Sequence, residues 1–99
     1  MNEYAEEYLA EVRECRDEDK MFALIKEDKP GVALELAKSI HTVPRILGIL
    51  ANHLSITVRH EVAKNKSTPT ETLKKMSVDK DMLVRDYATR TLKSFSINS

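Results

Sequence analysis

Residues Val58 to Arg85 read VRHEVAKNKSTPTETLKKMSVDKDMLVR, and the stretch opens and closes on the same Val-Arg pair. Val58 and Val84 lie 26 residues apart, and a further step of 26 back reaches Val32. In that frame Glu35-Leu36-Ala37-Lys38 falls on Glu61-Val62-Ala63-Lys64, Thr42 on Thr68, Leu47 on Leu73 and Leu50 on Met76, without a gap. Self-similarity at such a period marks stacked helical units, each too small to bury its apolar face alone. Stacks of this kind work chiefly by presenting a surface to a partner. The expected fold is all-α, a short stack of antiparallel helix pairs with about seven short helices.

Local signals place the helices. Thr68-Pro69-Thr70-Glu71 reads as a capping box, with Thr68 as N-cap, Glu71 answering it and Pro69 at the first helical position. Leu73 and Met76 are the inward residues of that helix. Thr42-Val43-Pro44 reads the same way, with Thr42 as N-cap before an apolar stripe of Ile46, Leu47, Leu50 and Ala51. Ser55 caps the helix carrying Val58, Val62 and Ala63. Asp79 or Asp81 starts the last helix, whose apolar residues are Met82, Val84, Tyr87, Ala88 and Leu92.

Upstream, Lys29-Pro30-Gly31 is a break, and the helix after it sets Val32, Leu36, Ala37 and Ile40 on one face. The segment Asp17 to Asp19 caps a helix holding Met21, Phe22, Leu24 and Ile25, and Met21 and Leu24 fall on Leu47 and Leu50. At the N-terminus, Tyr4, Tyr8, Leu9, Val12 and Cys15 form one amphipathic stripe, with Glu3, Glu6, Glu7 and Glu11 largely off it. This helix has no repeat counterpart in the sequence and is expected to cover an open end. The chain thus divides into an acidic capping helix (1–17), a degenerate repeat (18–41), two repeats (42–67 and 68–95) and a frayed tail (96–99).

At 99 residues the chain is one small domain. Hydrophobic residues make up 41% and aromatics only 5%, a helical composition without β-type runs. A single cysteine, Cys15, excludes a disulfide framework and any multi-cysteine metal or cluster site, and fits a reducing compartment. The acidic start lacks the basic and apolar regions of a signal peptide, and no apolar stretch reaches bilayer length. A cytoplasmic location with no membrane contact is expected. Residues 1–31 hold ten acidic and five basic groups, and residues 32–99 hold six acidic and eleven basic ones. Both ends are either simply solvated, or the molecule is electrically polar and able to take an oppositely charged partner or stack head-to-tail.

The residues Val58, Arg59, Val62, Ala63, Asn65, Thr68, Pro69, Leu73, Met76, Asp79, Asp81, Val84 and Arg85 carry a resemblance. Their pattern resembles the leucine-rich repeat variant, an all-helical relative of HEAT-type repeats. The preceding copy keeps Val32, Ala37, Thr42 and Leu47 but has Ala33 in place of Arg and Val43 in place of Pro. The last copy keeps only Val84, Arg85 and Ala88. The resemblance implies a right-handed superhelical stack serving as a scaffold or binding surface. Some relatives carry an iron–sulfur cluster on an added cysteine-rich segment, which the lone Cys15 does not match.

Arg59 and Arg85 recur with the repeat, as do acidic residues ahead of the Val-Arg pair (Asp79, Asp81), and these read as a ladder between repeats. Asn65 reads as a helix-terminal or turn residue. Cys15, on an apolar stripe, reads as a small buried hydrophobe. His60-Glu61 is half of a zinc-protease motif, but Lys64 stands where the second His belongs, and His41 and His53 complete no metal set. No enzyme activity, cofactor or metal is expected. The function expected is a non-enzymatic protein–protein interaction module, a small adaptor or inhibitor. Its candidate partner-binding residues are the basic Lys64, Lys66, Lys74 and Lys75 and the acidic Glu3, Glu7 and Glu11. The alternatives are nucleic-acid phosphate binding through the basic C-terminal repeats, disfavoured by neutral net charge and few aromatics, and self-assembly into a homo-oligomer.

Overall fold

Three helices begin at Glu18, Pro44 and Thr70, at intervals of 26 residues. The structure, a computed structural model, describes residues 3–97, with side chains from residue 6 to residue 96. The elements are α1 (Glu3–Glu14), α2 (Glu18–Glu27), α3 (Val32–Lys38), α4 (Pro44–Leu50), α5 (Ile56–Lys64), α6 (Thr70–Met76) and α7 (Met82–Ile97). Among the described residues there is no strand. The helices form two rows. In one row α1 packs on α3, α3 on α5 and α5 on α7; in the other α2 packs on α4. The longest dimension, 40 Å, is that of four helices side by side at roughly 8–10 Å spacing.

The core lies between the rows and follows the period. Val32, Val58 and Val84 are buried, and so are Leu36, Val62 and Ala88. In the other row Met21, Leu47 and Leu73 occupy one buried position, and Leu24, Leu50 and Met76 another. Each large apolar side chain removed from water contributes on the order of 1.5–3 kcal/mol. The first unit therefore buries its apolar positions as the later ones do, although its sequence repeats least well.

Helices of seven residues have a difficulty that longer ones escape. The last four carbonyls of any α-helix lack a partner within it, and in α3, α4 and α6 that is over half of the helix. Side chains at positions 39, 65 and 91, again 26 apart, meet part of that need in α3 and do the same for the longer α1 and α5. Ser39 Oγ donates to the Arg13 carbonyl (3.0 Å), and Asn65 Nδ2 donates to the carbonyls of Ala37 (2.8 Å) and Ser39 (2.9 Å). Thr91 Oγ1 donates to the Ala63 carbonyl (2.7 Å). All three side chains are buried, and each ties the end of one helix to the next helix of the same row. By this bond α1 takes the place that α3 and α5 hold further along, although no sequence period reached it. Arg13 also donates to Glu35 at 2.8 Å, and that carboxylate keeps the guanidinium above its ordinary pKa.

Thr42 and Thr68 overturn the expected caps. Thr42 Oγ1 donates to the Leu36 carbonyl (2.6 Å) and Thr68 Oγ1 to the Val62 carbonyl (2.8 Å), both backward into the helix just ended. The N-cap positions are Val43 and Pro69, neither with a side-chain cap bond, so there is no capping box. The reason is energetic. Both carbonyls also accept a backbone amide, Leu36 from Ser39 (3.3 Å) and Val62 from Asn65 (3.1 Å), so the deciding group is the threonine hydroxyl. Left unpaired in its buried position it would cost about 1–3 kcal/mol, while a surface N-cap contributes typically ~1 kcal/mol. Caps expected at Asp17, Ser55 and Asp81 are present: Asp17 accepts from the amides of Asp19 and Lys20, Ser55 from Val58 and Asp81 from Val84.

Four further expectations change. α3 ends at Lys38, so Ile40 falls in the turn and is exposed rather than on the core face. Met82 is the first residue of α7 and is likewise exposed. Pro30 precedes α3; the N-cap is Gly31 at φ 85°, where a Cβ would meet Leu9 Cδ1 at 3.3 Å as well as strain the backbone. α7 continues through Ser96 and Ile97, and the rest of the expected tail, Asn98 and Ser99, lies outside the described residues.

Asn65→Ala removes the donor to the Ala37 carbonyl and one of two donors to the Ser39 carbonyl, which keeps the Thr42 amide at 3.3 Å. It is expected to cost about 2–4 kcal/mol, and Thr91→Val about 1–2 kcal/mol. Urea unfolding measures both, with unchanged m-values. A cost at Asn65 no larger than at Thr91 contradicts the assignment.

Candidate protein-interaction edge

The turns between helices gather on two opposite edges. Turns 39–43 and 65–69 form one, closed by the bonds of Ser39, Thr42, Asn65 and Thr68. Turns 28–31, 51–55 and 77–81 form the other. This second edge is held chiefly by one side chain. The Arg59 guanidinium is buried, with Nε donating to Asp79 Oδ2 at 3.1 Å and one terminal nitrogen to Asp79 Oδ1 at 3.4 Å. Its other terminal nitrogen donates to the carbonyls of His53 (2.8 Å) and Leu54 (3.3 Å). One two-pronged ion pair thus links turn 51–55 to turn 77–81. Arg85 repeats part of this pattern, donating to the Asp79 carbonyl at 2.8 Å, six residues back, as Arg59 does to His53.

The first unit has Ala33 where Arg59 and Arg85 stand, so it lacks the guanidinium. An open cleft of about 300 Å³ lies there, lined by Ala33, Gly31, Lys29, His53 and Ser55. A second cleft of about 540 Å³ runs between the C-terminal ends of α2 and α4 over Ile25, Ile49 and Leu54, with Lys26 and His53 beside it. A third, of about 320 Å³, joins Leu54 and His53 to Asp79 and Lys80. A fourth, smaller one of about 110 Å³ joins Asn52 to Lys75 and Asp79. His53 borders the first three. It is half-buried, and its Nδ1 accepts the Ser55 amide at 3.0 Å. Asp79 holds the Asp81 amide in the same manner one unit later.

The edge is also where the apolar residues lie open. Seven large hydrophobic side chains are exposed among the described residues, and six of them are at this edge or the helix ends beside it. Leu54 is 95% exposed, Val78 79% and Met82 68%, with Ile49, Ile56 and Leu83 nearer half. Only Ile40 sits elsewhere, on the closed edge. Soluble surfaces commonly carry single exposed hydrophobics; six along one edge give it an apolar character that the rest of the described surface lacks.

Asp81 organises the neighbouring end of α7. Besides accepting the Val84 amide, it contacts His60 Nε2 at 2.9 Å, and the His60 ring stands edge-on to Tyr87 at 5.6 Å. The amide bond foremost, then the His60 bond, hold its carboxyl below the usual range.

The charged residues singled out in the sequence do not assemble into one site. Lys64 is paired to Glu61 at 3.1 Å and lies over the Tyr87 ring. Lys66 is exposed on the closed edge. Lys74 lines a groove of about 460 Å³ at the α7 end, with Lys93, Leu92 and Phe95. Lys75 alone reaches the open edge. Glu7 and Glu11 are exposed on α1, and the Glu3 side chain lies outside the described residues. Cys15 is buried, as expected. Among the described residues no three metal-ligating side chains converge, and no helix is long and apolar enough to cross a membrane.

The fold and the edge define an all-helical protein with an exposed apolar margin. In comparison with known proteins, the chain matches no family model, no curated protein and no solved structure.

Because Asp81 titrates lower when folded than unfolded, its contribution is present above the unfolded carboxyl value of ~3.9 and is lost as pH falls through the folded one. Asp81→Asn is therefore expected to lower the melting temperature at pH 7, with the gap to wild type closing toward pH 3. A gap that is constant with pH contradicts a role for the carboxylate.

Proposed function

We propose that this chain is a non-enzymatic protein-binding module, a small adaptor or inhibitor, and that it engages its partner through the edge formed by turns 28–31, 51–55 and 77–81. The observation that carries this reading is Leu54. It is 95% exposed on a turn whose backbone is fastened from beneath by Arg59, so an apolar anchor is presented on a rigid support. Preorganised anchors of this kind bind without the entropy cost of ordering a loop. The turns on the opposite edge have their polar side chains engaged in holding the helices together, which leaves this edge as the one with groups to offer. The reading takes the two rows of helices as a short right-handed repeat stack of the leucine-rich repeat variant type, with α1 as its N-terminal cover. The 26-residue spacing of helix starts and of the buried donors supports that view.

The test is affinity capture from a lysate of the source cells, with proteins identified by mass spectrometry. Leu54→Asp is expected to lose the partner while keeping the helical circular dichroism of the wild type. Lys66→Glu, on the closed edge, is expected to retain it. Capture unaffected by Leu54→Asp, or lost equally in both variants, refutes the edge.

A further inference from the structure

Resting on the edge proposed above, we infer that the partner presents an acidic segment with apolar anchors. Four lysines line the clefts of this edge: Lys26, Lys29, Lys75 and Lys80. None of them forms an ion pair among the described residues; Lys20, Lys66, Lys74 and Lys93 elsewhere form none either, so what sets this edge apart is how few carboxylates lie beside its cations. The carboxylates lining the same clefts are Asp28 and Asp79, and Asp79 is already held by Arg59 at 3.1 Å. Four cations thus face one available carboxylate. This imbalance is local, because the chain as a whole has net charge zero.

A structural role accounts for part of it. Lys26 and Lys75 lie in the last turns of α2 and α6, where a cation complements the helix dipole. Lys29 and Lys80 lie in turns and have no such role; Lys29 Nζ rests over the Tyr8 ring at 5.1 Å, a contact that eases its charge in part and holds no carboxylate. Between the lysines the surface is apolar, with Ile25, Ile49 and Leu54 along one cleft. The matching ligand is a peptide segment whose apolar side chains seat on that strip and whose carboxylates meet the surrounding ammonium groups. Exposed ion pairs add little affinity singly, so the apolar contact holds the segment and the charges select it and speed its arrival.

The experiment is fluorescence anisotropy on the full chain with two labelled peptides, EELLEELLEELL and KKLLKKLLKKLL. Sedimentation with phosphatidylcholine vesicles containing phosphatidylserine runs in parallel. The acidic peptide is expected to bind about tenfold or more tightly than the basic one, and progressively less tightly as salt rises. The double variant Lys26→Glu/Lys80→Glu is expected to invert the preference while its circular dichroism stays that of the wild type. The inference is overturned if neither peptide binds, if both bind equally, if the double variant keeps the preference, or if the chain follows the anionic vesicles and not the peptide. If Leu54→Asp loses its captured partner while the two peptides are not discriminated, the edge stands and its acidic ligand falls.

Discussion

A seven-residue helix cannot satisfy its own backbone. In α3, α4 and α6 most carbonyls look outward for donors, and water is excluded from the ends that face the interior. The buried side chains of Ser39, Asn65 and Thr91 supply donors to the ends of α1, α3 and α5, Thr42 and Thr68 add donors to α3 and α5, and the backbone amides of the turns that follow close the ends of α4 and α6. Everything else follows from that provision. The apolar positions need only be small enough to let the rows approach, which Ala37, Ala63 and Ala88 are. The helices stay short because their ends are stabilised by side chains from other units, not by added turns.

The division of labour between the edges has the same origin. One edge gives its hydroxyl and amide side chains to carbonyls and has little left for solvent or ligand. The other is held by a single guanidinium that reaches two turns at once. An arginine can serve there because its fork meets a carboxylate and a pair of carbonyls in one plane. Where Ala33 replaces it the surface opens into a cleft, and the cleft continues into the apolar strip of Ile25, Ile49 and Leu54.

The period made most of the architecture legible before any coordinates. Val32, Val58 and Val84, and the aligned Leu and Met positions, were readable as core because identity and spacing agreed. The donors at 39, 65 and 91 were not readable, since Ser, Asn and Thr share only the ability to donate a hydrogen bond, and a period of function without a period of identity leaves no visible repeat. Thr42 and Thr68 misled for a related reason. A threonine ahead of a helix suits both an N-cap and a bond to the helix behind it, and only burial decides between them. The open edge was hidden because exposure is not a local property. Leu54 between His53 and Ser55 looks like any turn residue until Arg59 is seen holding its carbonyl. Lysine counts likewise could not separate Lys64, paired with Glu61, from Lys80, which forms no ion pair among the described residues although Asp79 and Asp81 flank it.

The side-chain bonds to backbone carbonyls that join the units along the α1, α3, α5, α7 row all run in one direction, although the Arg13–Glu35 pair runs the other way. Ser39 reaches back to Arg13, Asn65 to Ala37 and Ser39, and Thr91 to Ala63; the later segment supplies the donor and the earlier one the acceptor. Synthesis proceeds in that same order, from the N-terminus. Each unit thus supplies donors to carbonyls of the unit made before it, about 26 residues behind. Because no unit buries its apolar face alone, those earlier carbonyls stay open to water until the following unit brings its donor and closes the core over them.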